Sequence, residues 1–394
     1  MDSRRRILTA VLPLACVVVA ACSSAGGGSS SSSAAGSTAA SSTSSAATGQ
    51  AAAQALAKIL TPVVNEPTSI SVTTPLAKPA PKGIKVVGLA DGFVDENLYY
   101  QGMAAAAKVL GWSFSTQSIN DSDLQTVISA ATSAINAGAK AVVMVSELQS
   151  TTDKVLPLAN QHHAVILDTI SSNSAHPGQI LASTENHEFF TQSRYVIAAI
   201  LQQADAAGQV AHIGETWIPQ FAADRILGEN GAKQVLAQYC PKCTMDRINI
   251  SLEDVQNGAY VQDIASYLQS HPDINFLFAT NAFFVNGLVP ALKQAGIPIP
   301  KIVGTEPTAA NFSALKSGVA QEWFYVPQQV LGWVWTDELA RYFTGGDYNI
   351  WNTTAYAPQW LMTDQSIQQV PNVNDLEPPV GYQAQFEKLW GVSS

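Results

Sequence analysis

Ile84 to Trp112 reads IKVVGLADGFVDENLYYQGMAAAAKVLGW, and this stretch decides the fold. IKVVGLA is a short apolar run bounded by turn signals, which predicts a strand buried on both faces. Gly92 and the acids Asp91, Asp95 and Glu96 break the run. From Leu98 the apolar spacing becomes helical: Leu98, Met103, Ala106 and Leu110 share a face, and Gly111 stands where a helix stops. The stretch is a strand–loop–helix unit.

The plan recurs along the chain. Helical spacing covers Leu124–Ala137, Thr151–Gln161, Phe189–Ala207, Ala223–Tyr239, Tyr260–Gln269, Val285–Ala295, Ala309–Lys316 and Val330–Phe343. Between these helices lie the strand-like runs AKAVVMV, AVILD, QILAS, QVAHIGE, MDRINIS, INFLFAT, KIVGT and AQEWFYV, with TAYAPQWLMT as a last strand. Strands alternating with helices imply parallel sheets, and two runs of them imply two doubly wound α/β domains. In such sheets ligands sit at the carboxyl ends of the strands. The residues there form a coherent set: Asp91, Asp95, Glu96, Glu147, Asp168, Thr216, Trp217, Asn281, Glu306 and Tyr325. Any one of them is also an ordinary turn former or cap.

At 394 residues, the chain has room for two cores. Its net charge of −10 leaves no broad basic face for nucleic acid. The amino terminus has Arg4–Arg6 followed by an apolar run from Ile7 to Ala21, the pattern of a signal peptide over 1–21. Val19-Ala20-Ala21-Cys22 resembles the lipobox of bacterial lipoproteins, which would make Cys22 the lipidated residue; the alternative is a plain secretory signal. Residues 22–50 are rich in Ser, Ala, Gly and Thr and read as a flexible tether. A short helix over Ala51–Leu60 and a five-proline extended stretch to Lys82 are expected to pack on the first domain.

Cys240-Pro241-Lys242-Cys243 reads as a local disulfide in a secreted chain, with redox and zinc roles as alternatives. No Gly-x-Ser-x-Gly, His-Glu-x-x-His or Walker loop occurs, and neither a metal site nor a cofactor is expected.

From about Gly83 to Met362 the order of elements resembles the type I periplasmic binding proteins, the ribose- and galactose-binding group that serves ABC importers. The resemblance implies two Rossmann-like doubly wound parallel-sheet domains, 83–186 with 328–362 and 187–327, joined by a three-segment hinge, and a tail at 363–394. It places the family's ligand loop on Phe93, Asp95 and Glu96, and its sugar-binding acid on Asp168, where Thr169 replaces the usual Arg. Its Arg-x-x-Gly falls on Arg225–Gly228; Asn281 keeps the Asn of Asn-Asp; Glu306 replaces the Asp of Gly-Phe-Asp; the hinge Gln falls near Tyr325.

The chemistry of a polyol fits this set. Asp168 and Glu306 accept pairs of hydroxyls, Asn281 donates and accepts, and Arg225 donates. Phe93, Trp217 or Tyr325 offers a flat face to a sugar ring. Arg225 could instead pair with Glu229, and Trp217 could be core. The surplus of acids also suits an amine-bearing solute.

The expected function is thus an extracytoplasmic lipoprotein, anchored to the cell membrane, monomeric, that binds a small solute and hands it to an ABC permease. A receptor for a membrane signalling partner and a secreted glycoside hydrolase are the alternatives.

Overall fold

The computed structural model describes residues 39–392 other than 121–122, 172, 183–187, 222–223, 225 and 354–355. Two compact units, Met1–Ala47 and Thr48–Ser394, divide the chain, and both sheets lie in the second. Cys22 and Arg225 fall outside the described residues.

The opening unit folds as its pattern predicts. β1 (Lys85–Ala90) is buried along its middle, and the helix Val94–Leu110 ends on Gly111 in the left-handed conformation. Beside β1 lie β2 (Ser113–Ser118), β3 (Ala141–Val145), β4 (Val165–Thr169) and β5 (Gln179–Ala182), all parallel, in the order β2-β1-β3-β4-β5. β2 is absent from the sequence expectation. It is a polar edge strand, SFSTQS, with no fully buried residue, so it lacks the apolar pattern that betrays the others.

The second sheet takes β6 (His212–Trp217), β7 (Thr244–Asn249), β8 (Phe276–Ala279), β9 (Lys301–Thr305), β10 (Gln321–Tyr325) and β11 (Trp360–Met362) in the order β11-β10-β9-β8-β6-β7. Only its edge pair β10–β11 is antiparallel. Each sheet reverses its winding once, between β1 and β3 in the first lobe and between β6 and β8 in the second. Ligands of doubly wound sheets bind at such switch points.

Three assignments differ from expectation. Residues 360–362 were expected with the first domain, but β11 pairs with β10 in the second sheet. The helix at the amino end runs Ala39–Leu60, and its residues from Ala52 to Leu56 share a cavity of about 150 Å³ with Leu201, Tyr239 and the Cys240–Cys243 disulfide, on the second lobe rather than the first. The tail also returns: Asp364–Ile367 packs beside Ala309–Lys316 of the second lobe, whereas Tyr382–Trp390 packs on the helix Gln328–Thr344. Among the described residues the tail therefore passes from the second lobe back to the first.

The physical cause of that return is a buried aromatic and ionic cluster. Phe386, Leu389 and Trp390 are buried, and Trp390 stacks on Trp333 with ring centroids 5.3 Å apart. Asp337, fully buried, accepts hydrogen bonds from Trp390 Nε1 (2.7 Å), Trp351 Nε1 (2.7 Å) and Arg341 Nε (2.6 Å). Arg341 also donates to the carbonyl of Thr74, tying in the proline-rich segment.

The helices Val94–Leu110 and Gln328–Thr344 form the tightest seam of the first lobe. A Cβ on Gly102 would stand 2.1 Å from the Gln329 carbonyl oxygen, and one on Gly332 2.2 Å from that of Tyr99. Glycine at both positions lets the two backbones touch.

Candidate functional site

The carboxyl ends of the two sheets face each other across a cavity of about 60 Å³. The first lobe supplies Asp91, Phe93, Asp95, Glu96 and Tyr99 after β1, Ser146 after β3 and Ile170 after β4. The second supplies Phe221 and Asp224 after β6, Asn281 and Phe283 after β8, and Glu306 after β9. That volume holds a few waters. A larger mouth of about 420 Å³ adjoins it, sharing Ser146 and Phe221 and adding Glu147, Gln220 and Glu253.

Local backbone geometry builds the walls. Asp91 accepts from its own loop at Phe93 N (2.9 Å), and Glu96 accepts from Asp91 N (2.9 Å) and Gly92 N (3.3 Å). The loop is thereby held rigid, with Phe93 at its tip. Phe93 crosses the cleft to stack on Phe283 at 5.4 Å between centroids and to meet Phe221 edge-on at 5.9 Å. Asn281 caps the short turn Ala282–Val285 by accepting from Phe283 N, which fixes the amide beside that ring.

Three of the cavity residues carry left-handed backbone without being glycine. Ser146, Ile170 and Glu306 have φ of 58°, 53° and 54°, and each directly follows a strand. For a β-branched residue such as Ile170 this is a costly conformation. Strain of this kind concentrates where the surrounding fold holds side chains for a purpose. His163, the remaining such residue described, lies at a helix end away from the cavity.

Polar contacts across the cleft centre on Asn281 and Glu306. Asn281 Nδ2 donates to Asp95 Oδ2 at 2.8 Å and to Glu306 Oε2 at 2.5 Å. Tyr99 donates its hydroxyl to Glu306 Oε1 at 2.9 Å. Burial and the neighbouring Asp95 push the Glu306 carboxyl well above the usual range, and burial raises Asp95 likewise. Asp224 is pushed up to about 7 by burial, although it accepts from the Ile218 backbone N–H.

Of the predicted site residues, Phe93, Asp95, Glu96, Asn281 and Glu306 come together on the cavity wall. Glu147 lines the mouth. Three do not arrive. Asp168 is fully buried beside β5, its Oδ2 accepting from Asn173 (2.7 Å) and Gln179 (2.6 Å), so its carboxylate serves the sheet edge. Trp217 is buried under the Arg247 guanidinium, 3.6 Å from its ring centroid, and Arg247 in turn faces Glu215 at 3.5 Å. Tyr325 packs against Phe312 and donates to the Leu376 carbonyl, holding the tail. Tyr99, Phe221, Asp224 and Phe283 were not expected. Phe283 stands two residues past Asn281, and an aromatic so close to a strand end was the signal available.

Burial raises several acids together, and this gives the molecule a pH signature. Glu215 is pushed up to about 8, and Glu147, Asp168 and Asp224 to about 7, in each case chiefly by burial. A carboxyl with a raised folded pKa binds more protons folded than unfolded. Its stabilising contribution is complete below the unfolded value and disappears as pH rises through the folded one. The melting temperature is expected to fall from about pH 5 to about pH 8, and Glu215→Gln to flatten the decline. A melting temperature that climbs over that window would refute the assignment.

A family model described as "Periplasmic binding protein domain" matches residues 82–347. Several solved structures share the fold. A sugar ABC transporter from Yersinia enterocolitica superposes with a TM-score of 0.62 at 14% identity, covering 81% of this chain and 99% of its own. The 5-methylthioribose transporter solute binding protein from Thermotoga lettingae, in complex with 5-methylthioribose, gives 0.61 at 14%, covering 78% and 100%. A LacI transcriptional regulator from Bacteroides fragilis, described as putative in its own structure report, gives 0.59 at 13%, covering 74% and 100%. No curated protein sequence matches the chain.

Proposed function

Since this chain belongs to the periplasmic binding protein domain family, we propose that it is the solute receptor of an ABC importer, held at the outer face of the cell membrane by a lipid on Cys22. The lobes close on a small polar solute, and the closed form passes it to a membrane permease. The observation that carries this reading is the cavity between the carboxyl ends of the two sheets, walled from both lobes and flanked by three strained residues.

The same geometry favours binding over catalysis. The acids on the wall are engaged with Asn281, Tyr99 and loop amides, which is what a receptor needs to fix its pocket. A hydrolase would be expected to turn over the sugars it binds, and the receptor returns them unchanged.

A thermal-shift screen of sugars, polyols and amines tests the reading. A solute that binds only the folded form at a hundred times its Kd adds about 2.7 kcal/mol of stability. At least one class is expected to raise the melting temperature by several degrees, and mass spectrometry should recover it intact. A screen without any shift, or recovery of a cleaved product, speaks against a solute receptor.

A further inference from the structure

Resting on the receptor reading above, we propose that the cleft selects a small organic cation, a protonated amine or quaternary ammonium, over a neutral polyol. The inner cavity presents Asp91, Asp95, Glu96, Asp224 and Glu306. Its mouth adds Glu147 and Glu253. Among the described residues, neither lining contains a Lys, Arg or His.

Donor and acceptor accounting points the same way. A polyol hydroxyl must both donate and accept. Among the side-chain donors on this wall, Asn281 Nδ2 is engaged with Asp95 and Glu306, Tyr99 with Glu306, and the Thr280 hydroxyl with the Thr216 carbonyl. The wall carboxyls bring more lone pairs than these donors fill, and although burial raises Asp95, Asp224 and Glu306, a cation beside them favours their ionised form. An ammonium group brings donors or bare positive charge and requires no donor from the protein.

The aromatic walls complete the argument. Phe93, Phe221 and Phe283 meet from two lobes beside these carboxyls and carry no hydrogen-bonding group. Ring faces also accept the C–H side of a sugar, so it is the acid surplus that separates the two classes; with it, the rings become a cage for positive charge. The acids do not converge on a metal ion: among the described residues no group of three or more His, Cys, Asp or Glu is placed to hold one.

Titration calorimetry on the purified full chain decides the matter with matched probes. Choline is compared with 3,3-dimethyl-1-butanol, its neutral carbon isostere, and D-glucosamine with D-glucose. Each ammonium is expected to bind on the order of tenfold tighter than its neutral partner. Phe283→Leu and Glu306→Gln, each verified as folded by circular dichroism, should lower the ammonium affinity by about tenfold. If glucose or the neutral alcohol binds as well as its cationic partner, and Asn281→Ala weakens it, the cationic preference is overturned while the receptor reading stands. If no probe binds and no solute shifts the melting temperature, both fall.

Discussion

Replacing Asp337 with alanine is expected to destabilise the protein by about 3–5 kcal/mol, the largest single effect anticipated for this chain. Asp337 is fully buried and holds three donors, from Arg341, Trp351 and Trp390. Removing the carboxylate leaves the Arg341 charge, itself only 3% exposed, without its counter-ion. It also leaves two indole N–H groups buried and unbonded, each costing about 1–3 kcal/mol. Because Trp390 and the Arg341–Thr74 contact join the tail and the proline-rich segment to this helix, both should loosen together. Urea unfolding followed by circular dichroism measures the loss. A change below about 1 kcal/mol would show that the cluster is a surface-like contact after all.

The second large effect concerns the cleft. Asp95→Ala on the first lobe and Asn281→Ala on the second should each weaken solute binding about ten- to a hundredfold. Each removes one side of a hydrogen bond to a charged or shared-proton carboxyl, worth roughly 1.5–3 kcal/mol in a desolvated place. Asn281 has the wider reach, since it touches Asp95 across the cleft, Glu306 on its own lobe and the backbone of Phe283. Asp168→Ala, by contrast, should affect the β4–β5 edge and leave affinity nearly unchanged, because Asn173 and Gln179 occupy its Oδ2 and the residue lies off both cavity linings.

How far the sequence led can be judged from these residues. The repeating apolar runs gave the strands wherever both faces are buried, and failed at Ser113–Ser118, where neither is. The loop acids and Asn281 were readable because polar residues directly after a buried strand have few structural reasons to be there. Asp168 satisfied the same rule and misled, since its partners Asn173 and Gln179 come from a later turn and strand that no local pattern connects to it. Tyr99 carries no local signal within its helix; only the folded chain shows its hydroxyl on Glu306, 207 residues away. The strained positions were invisible for a plainer reason. Left-handed backbone is signalled by glycine, and here it falls on Ser146, Ile170 and Glu306.

The tail shows the limit of pattern reading from the other side. The spacing of Tyr382–Trp390 is that of a short amphipathic helix, and the structure has a helix over the same residues. Its partner was not legible, because Trp333 and Asp337 occupy a helix that is buried nearly all round and so has no single apolar stripe, and Trp351 joins them from the separate short helix Ile350–Thr353.

A double-mutant cycle in solute affinity across the gap puts the clamshell itself to the test: wild type, Asp95→Ala, Asn281→Ala and the double variant, titrated by calorimetry with one bound solute. Two groups that meet when the lobes shut, directly or through what they enclose, should show a coupling of about 0.5–3 kcal/mol, the double variant losing less than the two singles combined. Strictly additive losses, or full affinity in both single variants, would mean that these two sheet tips do not close on a common guest.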